Sequence, residues 1–252
     1  MSKVYNRIGF LSSSTLKIIA CIFMVIDHVG LTFFPEYDIF RILGRLAFPL
    51  FAFLIAEGSR YTKNKIRRFS LICIIGLLLF AFYYIYDRAF YGNIFLTFSL
   101  SIFVDNFLFE CKKAYFDSSK RVYSILLIIG FTLLLVGLYF VYTVFRFEYG
   151  FFGMLLPVII NLFNFRGIES ENPLRKLDNH TVKLILAFIG MILISIDGNL
   201  GLIQYYCLLA IIPLAFYNGK PGNKELKYAF YIFYPAHLVI IEGIAIILSH
   251  LS

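Results

Sequence analysis

Charge is scarce in this chain. Only 15% of its 252 residues are Asp, Glu, Lys or Arg while 60% are hydrophobic, and no polar insert long enough to form a soluble module interrupts the apolar sequence. With a mean hydropathy of +0.82, that balance excludes an ordinary soluble domain, and the apolar runs reach the roughly 20 residues that cross a bilayer. The reading is one all-α membrane domain over residues 1–252, a polytopic helix bundle in the cell (cytoplasmic) membrane. The first apolar run exceeds a signal-peptide core and no small-residue cleavage site follows it, so it is expected to persist as a helix.

Cysteine is equally sparse. Cys21, Cys73 and Cys207 fall inside apolar runs and Cys111 in an expected inner loop. There is no Cys-x-x-Cys and no histidine at metal-ligand spacing, so the expectation is reduced thiols and no metal. Neither an internal repeat nor a low-complexity tract divides the chain. Aromatic residues, by contrast, are plentiful: 30 Phe and 18 Tyr read as lipid-facing and packing residues, with Tyr83, Tyr84, Tyr86, Tyr139, Tyr142 and Tyr149 near span ends as interfacial anchors.

Apolar runs and the turn residues between them place nine spans, at 15–34, 40–59, 69–87, 92–109, 122–144, 149–165, 183–197, 202–217 and 228–249. The seventh and eighth are short, parted only by Asp197-Gly198-Asn199, and a re-entrant pair is the alternative. A cytoplasmic N-terminus puts all but Arg41, Arg45, Arg88 and Arg146 of the 23 Lys and Arg on the inner side, including Lys3, Arg7, Lys224 and Lys227, as the positive-inside rule requires. Topology thereby accounts for the net charge of +8, and no nucleic-acid partner is invoked; the expected surroundings are lipid.

Against that background the few buried charges are informative. Asp27-His28 lies near the outer end of the first span, and Arg41 and Arg45 enter the second. Each ionisable group in hydrocarbon costs about 2.5–3.5 kcal/mol on insertion scales, so such a cluster needs partners or a task. Adjacent helical residues project about 100° apart, so Asp27 and His28 must look to other helices for partners. The short link Pro35-Glu36-Tyr37-Asp38 returns the second helix antiparallel, bringing Arg41 and Arg45, one turn apart on one face, to a similar depth. Pro49 displaces the carbonyl of Arg45, which predicts a local bend beside two guanidinium groups.

Two further features extend the set. Glu57-Gly58 lies near the inner end of the second span, just before the basic run from Arg60 to Arg68, with which Glu57 can pair. In the last span Pro235 sits inside Phe233-Tyr234-Pro235-Ala236-His237 and frees the carbonyl of Tyr231, placing His237 near mid-membrane. Buried imidazoles are candidate general bases near neutral pH. Glu57, Asp105 and Glu242 otherwise read as structural, each alone or near an interface, and His180 and His250 as solvated or interfacial. The Asp-His-Arg set also admits a purely structural reading, as interhelical glue.

The stretches Leu16-Lys17-Ile18-Ile19-Ala20, Ile26-Asp27-His28-Val29-Gly30, Arg41-Ile42-Leu43-Gly44-Arg45-Leu46-Ala47-Phe48-Pro49-Leu50-Phe51-Ala52-Phe53 and Glu57-Gly58 together resemble the TraX family of integral membrane proteins. Asn93-Ile94-Phe95-Leu96-Thr97, Tyr149-Gly150-Phe151-Phe152-Gly153 and Tyr234-Pro235-Ala236-His237 resemble its later motifs, so the similarity covers most of the chain. The family is named for acetylating the N-terminus of a conjugative pilin and is grouped with the transmembrane acyltransferases. The resemblance implies transfer of an acetyl group from cytoplasmic acetyl-CoA to an acceptor amine or hydroxyl at the membrane, either a peptide N-terminus or a glycan.

In the mechanism these residues suggest, His28 is the general base and Asp27 supports its imidazole directly or through a neighbour. His237 is a second base or a transient acyl carrier. Arg41 and Arg45 stabilise developing negative charge or hold an anionic part of the substrate, and Glu57 and Tyr234 join them as substrate-contacting candidates. Acetyl-CoA phosphates cannot enter hydrocarbon unpaired. The nucleotide is therefore expected at the inner mouth on Arg60, Lys63, Arg67 and Arg68, with the pantetheine arm threading inward. A secondary transporter and a non-catalytic assembly or immunity factor remain as other classes; the lack of repeated halves argues against transport.

Overall fold

The computed structural model describes residues 9–88, 92–145, 147–168, 172–197, 201–223 and 226–251. Lys3, Arg7, Arg146, Lys224 and the Gly198-Asn199 turn lie outside them, as does the side chain of Lys227. Among the described residues there are ten α-helices: α1 Ser13–Phe33, α2 Asp38–Gly44, α3 Ala47–Tyr61, α4 Lys65–Asp87, α5 Ile94–Tyr115, α6 Arg121–Phe145, α7 Gly150–Ile160, α8 His180–Ile196, α9 Ile211–Ala215 and α10 Leu226–Leu251. A 3₁₀ helix, Leu202–Ala210, leads directly into α9.

Each apolar run coincides with helix. Six segments among the described residues are long and apolar enough to cross a membrane, the second of them being α2 and α3 taken together; three shorter ones are Gly150–Ile160, His180–Ile196 and Leu202–Ala215. The sixth run ends earlier than its hydrophobicity suggests. At 1.5 Å per residue, the 11 residues of α7 rise only about 16 Å, against a hydrocarbon thickness of about 30 Å. The chain turns at Asn161, whose side chain is spent on long-range bonds described below. Large apolar side chains along α4, α6 and α10, among them Leu78, Ile85, Val122, Leu133, Phe140 and Val239, are exposed in the isolated chain, the surface a bilayer covers. The protein is a multi-pass membrane protein with an all-helical fold.

The second apolar run is interrupted. α2 stops at Gly44 and α3 starts at Ala47, so Pro49 occupies the first turn of α3 rather than a helix interior. There its missing N–H costs nothing, since first-turn donors have no intrahelical partner. Between the helices Leu46 N–H reaches back only to Leu43 O, at 3.2 Å. The bend expected at the Arg45 carbonyl is thus a tightened two-residue junction. Cys111 lies buried within α5, not in a loop, because α5 continues to Tyr115 beyond the charged residues Lys112 and Lys113.

The chain forms two compact units, Met1–Leu54 with Leu200–Ser252, and Ile55–Asn199, the division falling inside α3. In the first, Leu16, Ala20, Phe48, Leu50, Phe53, Cys207 and Leu214 are buried. Leu11 N–H donates to Phe216 O and Asn218 N–H to Leu11 O, both at 2.9 Å. The hydroxyl of Ser14 donates to the carbonyls of Pro221 and Asn223. These bonds fix the start of α1 against the loop after α9.

In the second unit Ile102, Met154, Leu156, Ile160 and Met191 are buried. The Ser101 hydroxyl donates to Met154 O at 2.6 Å, joining α5 to α7. Gly190 lets the Leu156 side chain of α7 press against α8, where a Cβ would overlap it. Asn93 caps α5 by accepting from Phe95 N–H and Leu96 N–H, and its amide donates to Gly76 O on α4 at 2.8 Å. Asn93→Ala should therefore cost about 1–2 kcal/mol, read as a lowered melting temperature in detergent. Asn93→Ser, which keeps a capping oxygen and loses the amide donor to Gly76, should fall between; equal melting of all three would remove Asn93 as the link between α4 and α5.

Candidate functional site

In the first unit α1 and α2 pack against each other through small residues, as helices in membranes do when their backbones must approach closely. A Cβ on Gly30 would overlap the Phe40 side chain, and one on Gly44 would overlap the carboxylate of Asp27. Gly44 is thus the opening through which an α1 carboxylate reaches the arginines of α2. Arg41 and Arg45 flank it in sequence, one residue after it and one turn away.

Asp27 is held from two sides. Arg45 Nη2 donates to its Oδ1 at 3.1 Å and to its Oδ2 at 2.9 Å, while Arg41 Nη1 lies 2.9 Å from Oδ2. Asp27 and Arg45 are buried, and the Arg41 side chain is about a quarter exposed, at 27%. Two guanidinium groups on one carboxylate leave the cluster a net positive charge. A group this buried persists only when charge-assisted hydrogen bonds offset its desolvation.

This arrangement changes the part expected of Asp27. Both of its oxygens are turned to guanidinium donors, and none of the described hydrogen bonds joins it to His28. The reason is the helix itself, which projects neighbouring residues about 100° apart. His28 instead faces the last helix: its ring lies 5.1 Å from that of His237, edge to face. Asp27 therefore stands beside the imidazole as part of an ion cluster and does not set its orientation by a direct bond.

His237 has a defined environment. Its Nδ1 is 3.0 Å from the Phe233 carbonyl one turn earlier in α10, and a carbonyl only accepts, so Nδ1 carries a proton. In the neutral ring the lone pair then lies on Nε2, a buried atom with no hydrogen-bond partner among the described residues. Phe233 stacks on the ring at 5.3 Å and Tyr234 meets its edge at 5.6 Å. α10 runs through Pro235 without a break. The structure thus brings together Asp27, His28, Arg41, Arg45, His237 and Tyr234 in one unit.

The remaining candidates belong to the second unit, in a charge network of their own. Glu57 is buried and forms an ion pair with Lys183 of α8, with Arg60 Nε 3.9 Å away. Arg60 Nη2 donates to Asp178 at 2.6 Å, and the other carboxylate oxygen of Asp178 accepts from Phe165 N–H. Arg68 donates to Ser59 Oγ and to Ile55 O. Lys63 and Arg67 alone of the expected coenzyme set are exposed. The basic run is therefore divided: Arg68 of α4 bonds acceptors on α3, and Arg60 spends Nη2 on Asp178 of the segment between α7 and α8.

Asp105, expected to stand alone, is buried and accepts from Asn161 Nδ2 at 3.0 Å. Asn161 also donates to Ala56 O, and its carbonyl accepts from Lys112 Nζ at 3.0 Å. The ring nitrogens of His180, expected to be solvated or interfacial, are buried within the protein. Sequence reasoning missed Lys112, Asn161, Asp178 and Lys183; the available signal was a lysine or asparagine set within or at the end of an otherwise apolar helix, which has no cheap explanation except a buried partner.

Gly44 was also missed, although a glycine between two helical arginines marks a close approach. Arg45→Met should leave Asp27 half-paired and cost about 3 kcal/mol. Asp27→Asn combined with Arg45→Met should be milder than the sum of the single changes by at least about 1 kcal/mol, measured by unfolding in detergent. Additive losses would show that the pair is not coupled.

Comparison with known proteins gives consistent relatives. The family model described as TraX protein matches residues 12–245. A "Probable fimbrial assembly protein FimC, serogroup H1" of Dichelobacter nodosus is 26% identical over 256 residues, covering 91% of this chain and 94% of the relative. An "Uncharacterized protein RP591" of Rickettsia prowazekii (strain Madrid E) is 38% identical over 104 residues, 41% of this chain and 37% of the relative. No solved structure matches the chain.

Proposed function

We propose that this chain, which belongs to the TraX family, is a membrane-embedded acetyltransferase that moves an acetyl group from cytoplasmic acetyl-CoA to an acceptor amine or hydroxyl at the membrane, on a peptide N-terminus or a glycan. The observation that carries the reading is the histidine pair: two imidazoles 5.1 Å apart, one with its proton fixed on Nδ1 by a backbone carbonyl, beside a carboxylate clamped by two arginines. Interhelical glue needs no open imidazole nitrogen; a general base does.

The step divides naturally among these residues. One imidazole takes the proton of the acceptor N–H or O–H as the heteroatom attacks the thioester carbonyl carbon; the new C–N or C–O bond forms, the C–S bond breaks, and the coenzyme leaves as its thiol after accepting a proton. His28 is the first choice for the base and His237 the second, with Tyr234 bordering the latter. The net positive charge of the Asp27 cluster favours the oxyanion that develops on the carbonyl oxygen. A donor so placed is worth about 3–4 kcal/mol when it is aimed at the transition state and held rigid, and Asp27 holds both guanidinium groups rigid. Arg60, Lys63, Arg67 and Arg68 are the proposed contacts for the coenzyme's phosphates.

The name of the Dichelobacter nodosus relative favours a second reading, in which the protein assists pilus or fimbrial assembly without chemistry. Release of coenzyme thiol from acetyl-CoA separates the two, measured on protein in liposomes with peptides bearing a free α-amine and with oligosaccharides as acceptors. Wild-type protein should release thiol in an acceptor-dependent way. His28→Ala should lower the rate at least about 100-fold with expression unchanged, and His237→Ala should lower it as well. Turnover retained in His28→Ala would take the base role from His28; no thiol release with any acceptor would favour the assembly reading.

A further inference from the structure

The second unit holds a buried cation with unused donors. Among the described residues Arg60 faces two carboxylates, Glu57 and Asp178, and shares the first of them with Lys183. Arg60 lies at the centre. Its side chain is only 8% exposed, yet of its donors only Nη2 is hydrogen-bonded, to Asp178; Nη1 and Nε have no hydrogen-bond partner among the described residues. Guanidinium donors left open at this depth cost about 1–3 kcal/mol each.

Lys183 shares Glu57 Oε1 with Arg60, and Lys112 binds the backbone carbonyl of Asn161, whose side-chain amide donates to Ala56 O one turn before Arg60. Lys112 donates to the Asn161 backbone carbonyl and lies over the face of Phe165, 5.7 Å from its Nζ. Among the described residues no carboxylate is in hydrogen-bond contact with it.

We infer that Arg60, with Lys112 and Lys183 beside it, is a buried anion-binding centre of the second unit that takes a phosphoryl group through the open Arg60 donors. A phosphoryl group suits these donors, because its non-bridging oxygens can accept charge-assisted hydrogen bonds from a guanidinium and an ammonium together. The exposed cations Lys63 and Arg67 then add only weak contacts, since solvated charges hold an anion weakly. The phosphoryl group has two candidate carriers, the nucleotide end of a coenzyme or the head group of an anionic lipid. The coenzyme arm rests on the acetyl-CoA reading above; the anion centre itself does not.

The test is equilibrium binding to the full chain in nanodiscs of zwitterionic lipid, with radiolabelled coenzyme A and pantetheine as probes and Arg60→Lys and Lys112→Gln as variants. A parallel set of nanodiscs contains phosphatidylglycerol, and its effect on melting temperature is recorded. If the carrier is the coenzyme, both variants should weaken coenzyme A at least tenfold and leave pantetheine, which lacks phosphate, unchanged. If the carrier is lipid, phosphatidylglycerol should raise the melting temperature of the wild type and of neither variant.

Lys112→Gln keeps the inference testable should Arg60→Lys fold poorly, because Lys112 is bound only to a carbonyl and a ring face. Unchanged coenzyme affinity together with an unchanged lipid response in the folded variants would overturn the inference, as would equal loss of pantetheine and coenzyme A. None of these readouts uses turnover, so failure of acetyl transfer in the thiol assay would leave this result standing, and the reverse.

Discussion

The first unit depends on one carboxylate. Asp27 is placed in an apolar helix and made tolerable by two guanidinium groups from a neighbouring helix, at 2.9 Å each. Several otherwise unrelated features serve that contact: the absent side chains of Gly30 and Gly44, which let α1 and α2 close; the short link that returns the chain; and the junction at Arg45-Leu46. Removing one charge would leave the others buried and poorly paired, which is why such clusters behave as a unit. A rigid cationic cluster beside two imidazoles is also what acyl transfer needs, because electrostatic stabilisation costs least when its donors do not have to reorganise.

The second unit answers the same problem differently. Glu57, Arg60, Asp178 and Lys183 form a chain of ion pairs, with Asp105, Asn161 and Lys112 alongside. These residues come from α3, α5, α8 and the segment between α7 and α8, so the network ties together elements that apolar contacts alone would fix only loosely. α7, whose Gly150 has φ +67° and would clash with Asp197 if it carried a Cβ, ends at the asparagine that joins this network. Membership of the TraX family covers both units, since the match runs from residue 12 to 245.

Much of this was legible in the sequence, for a physical reason: hydrocarbon allows few solutions. Every apolar run of spanning length became a helix because only helices satisfy their own backbone there, and a buried Asp and two Arg at compatible depth could scarcely avoid each other. What was not legible depends on partners distant in sequence. Nothing near Glu57 announces Lys183, 126 residues on, and Arg60 and Arg68 look like surface cations until Asp178 and the acceptors of α3 are in place. Likewise, periodicity could not tell that Asp27 would turn from His28 to the arginines, nor that α7 would stop at Asn161.

The central claim is that an acetyl thioester reacts at the His28–His237 pair. The most direct measurement is the structure of the full chain in nanodiscs with a non-hydrolysable thioether analogue of acetyl-CoA. The account predicts the analogue's carbonyl beside these imidazoles, close enough, with the acceptor at about 3–3.5 Å from its carbon, for one ring to reach the reacting proton. A carbonyl bound out of reach of both rings, with the imidazoles unchanged, would contradict it.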